Sequence, residues 1–164
     1  MGRAAALKLN ASKTTAMICG SRDFVNRIAH DLLRIQVSSI PVPYVETAEN
    51  LGVTLDSNFT WKPQVEAVTK KVNRALYSLN FFRHLTTFEL RKRLVSALAL
   101  SHLDNCSTVY SNISGDLKVQ LQKLQNKCVR YVTGLRRDEH VTPARRQLRW
   151  LSTDRQSFLI RVGV

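Results

Sequence analysis

The chain is short of acid. Only 12 Asp and Glu stand against 25 Lys and Arg, which leaves a formal net charge of +13 over 164 residues. A field of that sign favours phosphate-rich polymers, anionic surfaces or acidic proteins as partners. The same shortage bears on metal chemistry. A two-metal polymerase or nuclease site needs carboxylates clustered to hold divalent ions ~3.5–4 Å apart. Here the aspartates are scattered singly from Asp23 to Asp154, and the one adjacent acidic pair, Asp138-Glu139, lies in a basic stretch beside Arg136-Arg137. His30, His84, His102 and His140 lack metal-ligand spacing. The cysteines, Cys19, Cys106 and Cys128, are three and far apart, with no C-x-x-C. That excludes a zinc ribbon and suggests reduced, packed thiols in an intracellular protein. His102 near Asp104 and Cys106 fits a helix end packed in a core better than a reactive thiol.

Other absences narrow the field further. No apolar run approaches the ~20 residues of a membrane span. The opening MGRAAALKLN carries two basic residues, Arg3 and Lys8, and an apolar run too short for a signal peptide, so the expected location is nuclear or cytoplasmic. The glycine-rich phosphate loop, the dinucleotide fingerprint and the G-x-S-x-G elbow are all missing. No internal repeat or low-complexity linker interrupts the chain. No self-contained active site is supported.

What is present is enough apolar sequence, 44%, to bury a core. Asn10–Lys13 is turn-like, and Thr14–Gly20 is short, apolar and β-branched, which predicts a strand ended by Gly20-Ser21. Phe24–Leu33 has helical spacing and fits a short helix or an ordered loop. Ile35–Val37 predicts a brief strand, and Ser38-Ser39 a turn. Next comes a hairpin pattern from Ile40 to Trp61, with Val42–Val45 as first arm and Leu51–Leu55 as second. Pro41 and Pro43 suit an edge, Gly52 suggests a bulge or a close backbone approach, and Asp56–Asn58 closes the arm.

The remainder reads as helix. Lys62–Phe82 opens with Pro63 in its first turn and carries a stripe of Val65, Val68, Val72, Leu76 and Leu79. Lys70, Lys71 and Arg74 lie off that stripe. Thr86 to Glu89 has capping-box spacing, with Thr86 as N-cap of a helix through at least Leu100, and Leu90, Leu94, Ala97 and Leu98 as its core stripe. A third helix starts at Ser114 and ends before Gly134; Leu117, Leu121, Leu124, Cys128 and Val132 share one face. Lys123, Lys127 and Arg130 lie within about 60° of one another on nearly the opposite side. Such a face suits either a bound polyanion or plain solvent. Thr142-Pro143 predicts the N-cap and first residue of a short helix ending near Trp150-Leu151, and 154–162 a last one.

Five segments in this order carry a resemblance: LNASKTTAMICGS (Leu9–Ser21), PYVETAENLGVTLDSNFTW (Pro43–Trp61), LQKLQNKCVRYVTGL (Leu121–Leu135), HVTP (His140–Pro143) and LRWL (Leu148–Leu151). Together they resemble the C-terminal part of the reverse transcriptases of non-LTR, jockey-like retrotransposons, over most of the chain. The resemblance implies an end-of-palm segment over 1–61 and a helical thumb over 62–164. It implies that Asn50, Leu51 and Gly52 belong to a primer-grip-like hairpin and that Lys13 neighbours a nucleotide phosphate. In that family the catalytic aspartates sit in a Tyr/Phe-x-Asp-Asp loop upstream of the segment corresponding to Met1. The family's Mg²⁺ therefore has no ligands here, and no cofactor is expected. One departure is Asn105 in Leu103-Asp-Asn-Cys106, where the family often has an aromatic.

The expectation is an α+β, mostly α fold: a small β-layer and hairpin followed by a helical bundle. It carries no catalysis of its own. It binds RNA–DNA hybrid or duplex without sequence preference through Lys70, Lys71, Arg74, Lys123, Lys127 and Arg130, and has no membrane contact. Association with an intact reverse transcriptase is a further expected partnership. Trp61, Tyr44 and Tyr131 are candidates for stacking on bases. Two alternatives stay open: a basic helical module that docks an acidic protein, and a relic reading frame with no function.

Overall fold

The computed structural model describes residues 10–28, 33–105 and 113–152. The expected last helix over 154–162, along with Cys106 and His30, lies outside them. The fold is α+β and mostly α. The chain divides into two compact units, Met1–Pro63 and Gln64–Val164.

In the first unit, Asn10 organises a 3₁₀ turn over Ala11–Lys13: its side-chain oxygen accepts from the Ser12 amide at 3.1 Å and the Ser12 hydroxyl at 2.7 Å. Helix α1 spans Arg22–Ile28. Strands β1 (Gln36–Val37) and β2 (Ile40–Pro41) form one antiparallel ribbon, and β3 (Thr47–Asn50) and β4 (Val53–Asp56) another. The strand expected over Thr14–Gly20 is not a strand. Ala16 makes a single parallel bridge to Tyr44, with the Ala16 amide donating to the Pro43 carbonyl and the Val45 amide to the Ala16 carbonyl. The physical reason is across the bridge: Pro41 and Pro43 have no N–H, so a ladder on that side cannot extend.

The main hairpin also differs from the pattern. Its first arm is Thr47–Asn50, not Val42–Val45, and Asn50 pairs with Val53 across a two-residue turn. Both turn residues have positive φ, Leu51 at +50° and Gly52 at +80°. That is the backbone of a type I′ turn, whose twist matches the strands it joins. Gly52 is therefore the second turn residue rather than a bulge. Leu51 occupies a left-handed position that Asn and Gly fill with less strain, and its side chain is 92% exposed. Leu51→Asn, which creates the favoured Asn-Gly turn, should raise stability by about 1 kcal/mol, read as a higher urea midpoint at unchanged slope. After β4 the buried Asp56 carboxylate accepts from the Thr60 amide at 3.0 Å and the Trp61 amide at 3.1 Å. These bonds hold a loop in which Phe59 and Trp61 both have positive φ.

The second unit is helical. Helix α2 spans Lys62–Phe81, and its Val65, Val68, Val72 and Leu79 are buried as the spacing predicts. A 3₁₀ turn over Arg83–Leu85 leads to α3, Phe88–Val95. The N-cap is Thr87, whose hydroxyl accepts from the Leu90 amide, and not Thr86. Thr86 is engaged backwards, its amide and hydroxyl both donating to the Arg83 carbonyl that the 3₁₀ turn presents. The helix continues through a π turn, Ser96–Leu100, into α4, Ser101–Asp104. Its buried residues are Val95, Ala99, Leu100 and Leu103, one position later than the expected stripe, while Leu90 and Leu98 are exposed. The shift is already present at Val95, the last residue of α3, before the π turn begins.

Helix α5 spans Gly115–Thr133 and buries Leu117, Leu121, Leu124, Cys128 and Val132, as expected. Gly134, at φ +78°, ends it in the left-handed conformation, its amide donating to the Arg130 carbonyl. α5 packs on α3 and on α6, Val141–Gln147. The N-cap of α6 is His140, so Thr142-Pro143 lies inside its first turn, where a missing N–H still costs nothing. Arg149 ends α6 at φ +58°, with the Arg149 amide donating to the Arg146 carbonyl and the Trp150 amide to Arg145.

Cys128 gives the core a titratable marker. Burial pushes its thiol up from 9.0 to about 12, partly offset by a backbone hydrogen bond and by Lys127. Between those values the unfolded thiol ionises and the folded one does not, so this group's contribution to stability falls as pH rises. The expected slope is about 1.4 kcal/mol per pH unit. The stability gap between the parent and Cys128→Ala should therefore narrow steadily above pH 9.0 in denaturant titrations.

Candidate nucleic-acid interface

Three side-chain contacts set the relation between the two long helices. Gln120 Nε2 on α5 approaches Thr69 Oγ1 on α2 at 3.5 Å. Lys127 Nζ donates to Asn73 Oδ1 at 3.3 Å, and Tyr131 Oη to the Leu79 carbonyl at 2.8 Å. The partners climb both helices together, so α2 and α5 run parallel, side by side.

This pairing assembles a patch that spacing alone does not. Lys127 touches α2 at Asn73, three residues from Lys70 and next to Arg74. On a helix surface, residues three and four apart are neighbours. Lys123 and Lys127 on α5, and Lys70 and Arg74 on α2, thus form one contiguous run across the seam. Lys70, Arg74, Lys123 and Lys127 are all exposed.

The other expected site residues fall elsewhere. Lys71 is exposed but about 100° round α2 from Lys70, away from α5. Arg130 is half-buried and engaged internally: Nε donates to the Arg136 carbonyl, and Nη2 to the carbonyls of Arg137 and Glu139, each at 3.1 Å. It holds the loop between α5 and α6, whose Arg136 amide also meets the Glu139 carboxylate. Asn50, Leu51 and Gly52 form the β3–β4 tip in the first unit, and Lys13 ends an exposed 3₁₀ turn there.

The aromatic candidates are rearranged too. Tyr44 donates its hydroxyl to the Leu33 carbonyl at 2.9 Å. Tyr131 bonds Leu79, and its ring lies 5.7 Å below the Arg83 guanidinium, which makes it a packing residue between helices. Trp61 is half-buried beside Phe59. Tyr77 and Phe81 on α2, which sequence reasoning passed over, are among the exposed aromatics. The available signal was their phase, opposite the valine stripe.

Among the described residues no group of His, Cys, Asp and Glu is placed to hold a metal ion, and no helix is long and apolar enough to cross a membrane. No protein-family model, curated protein or solved structure matches the chain.

Proposed function

We propose that the second unit grips the phosphate backbone of a nucleic-acid duplex or RNA–DNA hybrid without reading its sequence, as the thumb of a non-LTR-type reverse transcriptase does. The observation that carries this is the α2–α5 seam, where Lys70, Arg74, Lys123 and Lys127 run together on the outer side of two parallel helices. Lysine and arginine contacts to phosphate give affinity and position without base information. The net charge of +13 and the resemblance of the five sequence segments support the same reading. The catalytic aspartate pair of the family has no counterpart in this sequence, so the proposed role is grip without chemistry.

A second reading, docking of an acidic protein, draws support from the apolar Phe82 and Leu85 exposed near the end of α2. Fluorescence anisotropy with a labelled hybrid separates the two. Unlabelled hybrid of unrelated sequence is expected to compete as well as unlabelled hybrid of the probe's own sequence, and polyglutamate to compete weakly. Polyglutamate displacing the hybrid at far lower charge concentration would favour the protein partner. Template–primer with Mg²⁺ and nucleotides is expected to show no extension by the purified chain, and detectable extension would refute grip without chemistry.

A further inference from the structure

The solvent face of α2 changes character along its length. Lys70, Arg74, Tyr77 and Phe81 recur at intervals of four, three and four, so they lie within about 60° of one another. Val65, Val68, Val72 and Leu79 occupy the opposite, buried side. The line covers about 16 Å of helix. Its first half is cationic. Its second half is a pair of rings, Tyr77 at 69% exposure and Phe81 at 60%. Their centroids are 5.1 Å apart and their planes meet at 89°. Two rings held edge to face at a helix surface present a corner: a flat partner laid on one ring abuts the edge of the other.

We infer that Tyr77 and Phe81 form a stacking platform for an unpaired nucleobase, at the end of the cationic track that holds the backbone of the same strand. The inference rests on the proposed backbone grip and adds a substrate class to it: duplex with a single-stranded end, in preference to blunt duplex. Stacking on aromatic rings is tolerant of base identity, so it adds affinity without imposing sequence. The occupant is argued from continuity of charge. A strand whose phosphates neutralise Lys70 and Arg74 is carried along the same face to the rings. An apolar protein surface docking on the rings would gain nothing from those two cations.

The test uses blunt hybrid and the same hybrid with a short single-stranded end carrying 2-aminopurine, whose fluorescence falls on stacking. The full chain is expected to bind the overhang substrate about tenfold more tightly than the blunt one and to quench the probe. Tyr77→Ala with Phe81→Ala should remove both effects and leave blunt-duplex binding unchanged. Tyr77→Phe should retain them. Because both rings are exposed, the unfolding midpoint of the double variant should match the parent, which checks its fold. Equal binding of blunt and overhang substrates, or quenching that survives the double substitution, overturns the platform while leaving the backbone grip intact. Self-association abolished by the double substitution, with oligonucleotide binding unaffected, would overturn it in favour of a protein interface. Loss of all binding to both substrates by the parent chain would instead refute the grip itself.

Discussion

Replacing Lys70, Arg74, Lys123 and Lys127 together by methionine should lower affinity for an RNA–DNA hybrid by roughly a hundredfold at about 50 mM salt. Methionine keeps the aliphatic stems that cover the helices and removes only the charge. All four side chains are exposed, so the variant should fold, apart from the loss of the Lys127–Asn73 bond. The two other cations first expected to share the site provide the contrast. Lys71→Met should change binding little, because that side chain faces away from the seam. Arg130→Met should act on stability, by about 2 kcal/mol, since it strips charged donors from three loop carbonyls. Equal binding losses from all six positions would mean that total charge, not the seam, governs association.

Leu100→Ala is expected to cost about 2–5 kcal/mol, a large share of a small unit's stability, while Leu98→Ala costs under about 1. The two leucines are two positions apart in the same helical run and lose the same atoms. They differ in burial: 8% of Leu100 is exposed and 47% of Leu98. Two positions along a helix amount to about 200° of rotation, so the two side chains point to opposite sides of the run. Urea unfolding of both variants compares them directly. A larger cost at Leu98 than at Leu100 would mean that the buried face follows Leu90, Leu94 and Leu98 instead.

The comparison of these leucines also shows where sequence is a good guide. The buried stripes of α2 and α5 were legible because 19- and 20-residue helices repeat the 3.6 period long enough to fix a phase, and Gly134 marks an end that only a left-handed residue fits. The α3 face was not legible, because α3 is eight residues long and a run that short does not fix a helical phase. The hairpin was displaced for another reason. Thr47-Ala-Glu-Asn50 has no β alternation, and its pairing is set by a turn that places Leu51 in a conformation leucine seldom adopts. The apolar Val42–Val45 was the better pattern, but its prolines limit it to isolated bonds.

For the candidate site, charge was legible and its arrangement was not. Lys123, Lys127 and Arg130 share a helix face, yet Arg130 is drawn to carbonyls of a loop six to nine residues onward in the chain. No periodicity predicts that Asn73 will receive Lys127, and without that contact the α2 and α5 cations remain two separate clusters. Tyr77 and Phe81 lie opposite the valine stripe of α2, a phase that was legible but that the stacking candidates Trp61, Tyr44 and Tyr131 did not use.

The central claim is that the α2–α5 seam holds nucleic-acid phosphates. Titration of the purified chain against one labelled RNA–DNA hybrid at several salt concentrations tests it most directly. Four phosphate contacts predict a plot of log K against log salt with a slope of about −3 to −4, collapsing toward zero in the four-methionine variant. A flat slope for the parent chain, or a slope that the variant leaves unchanged, would contradict it.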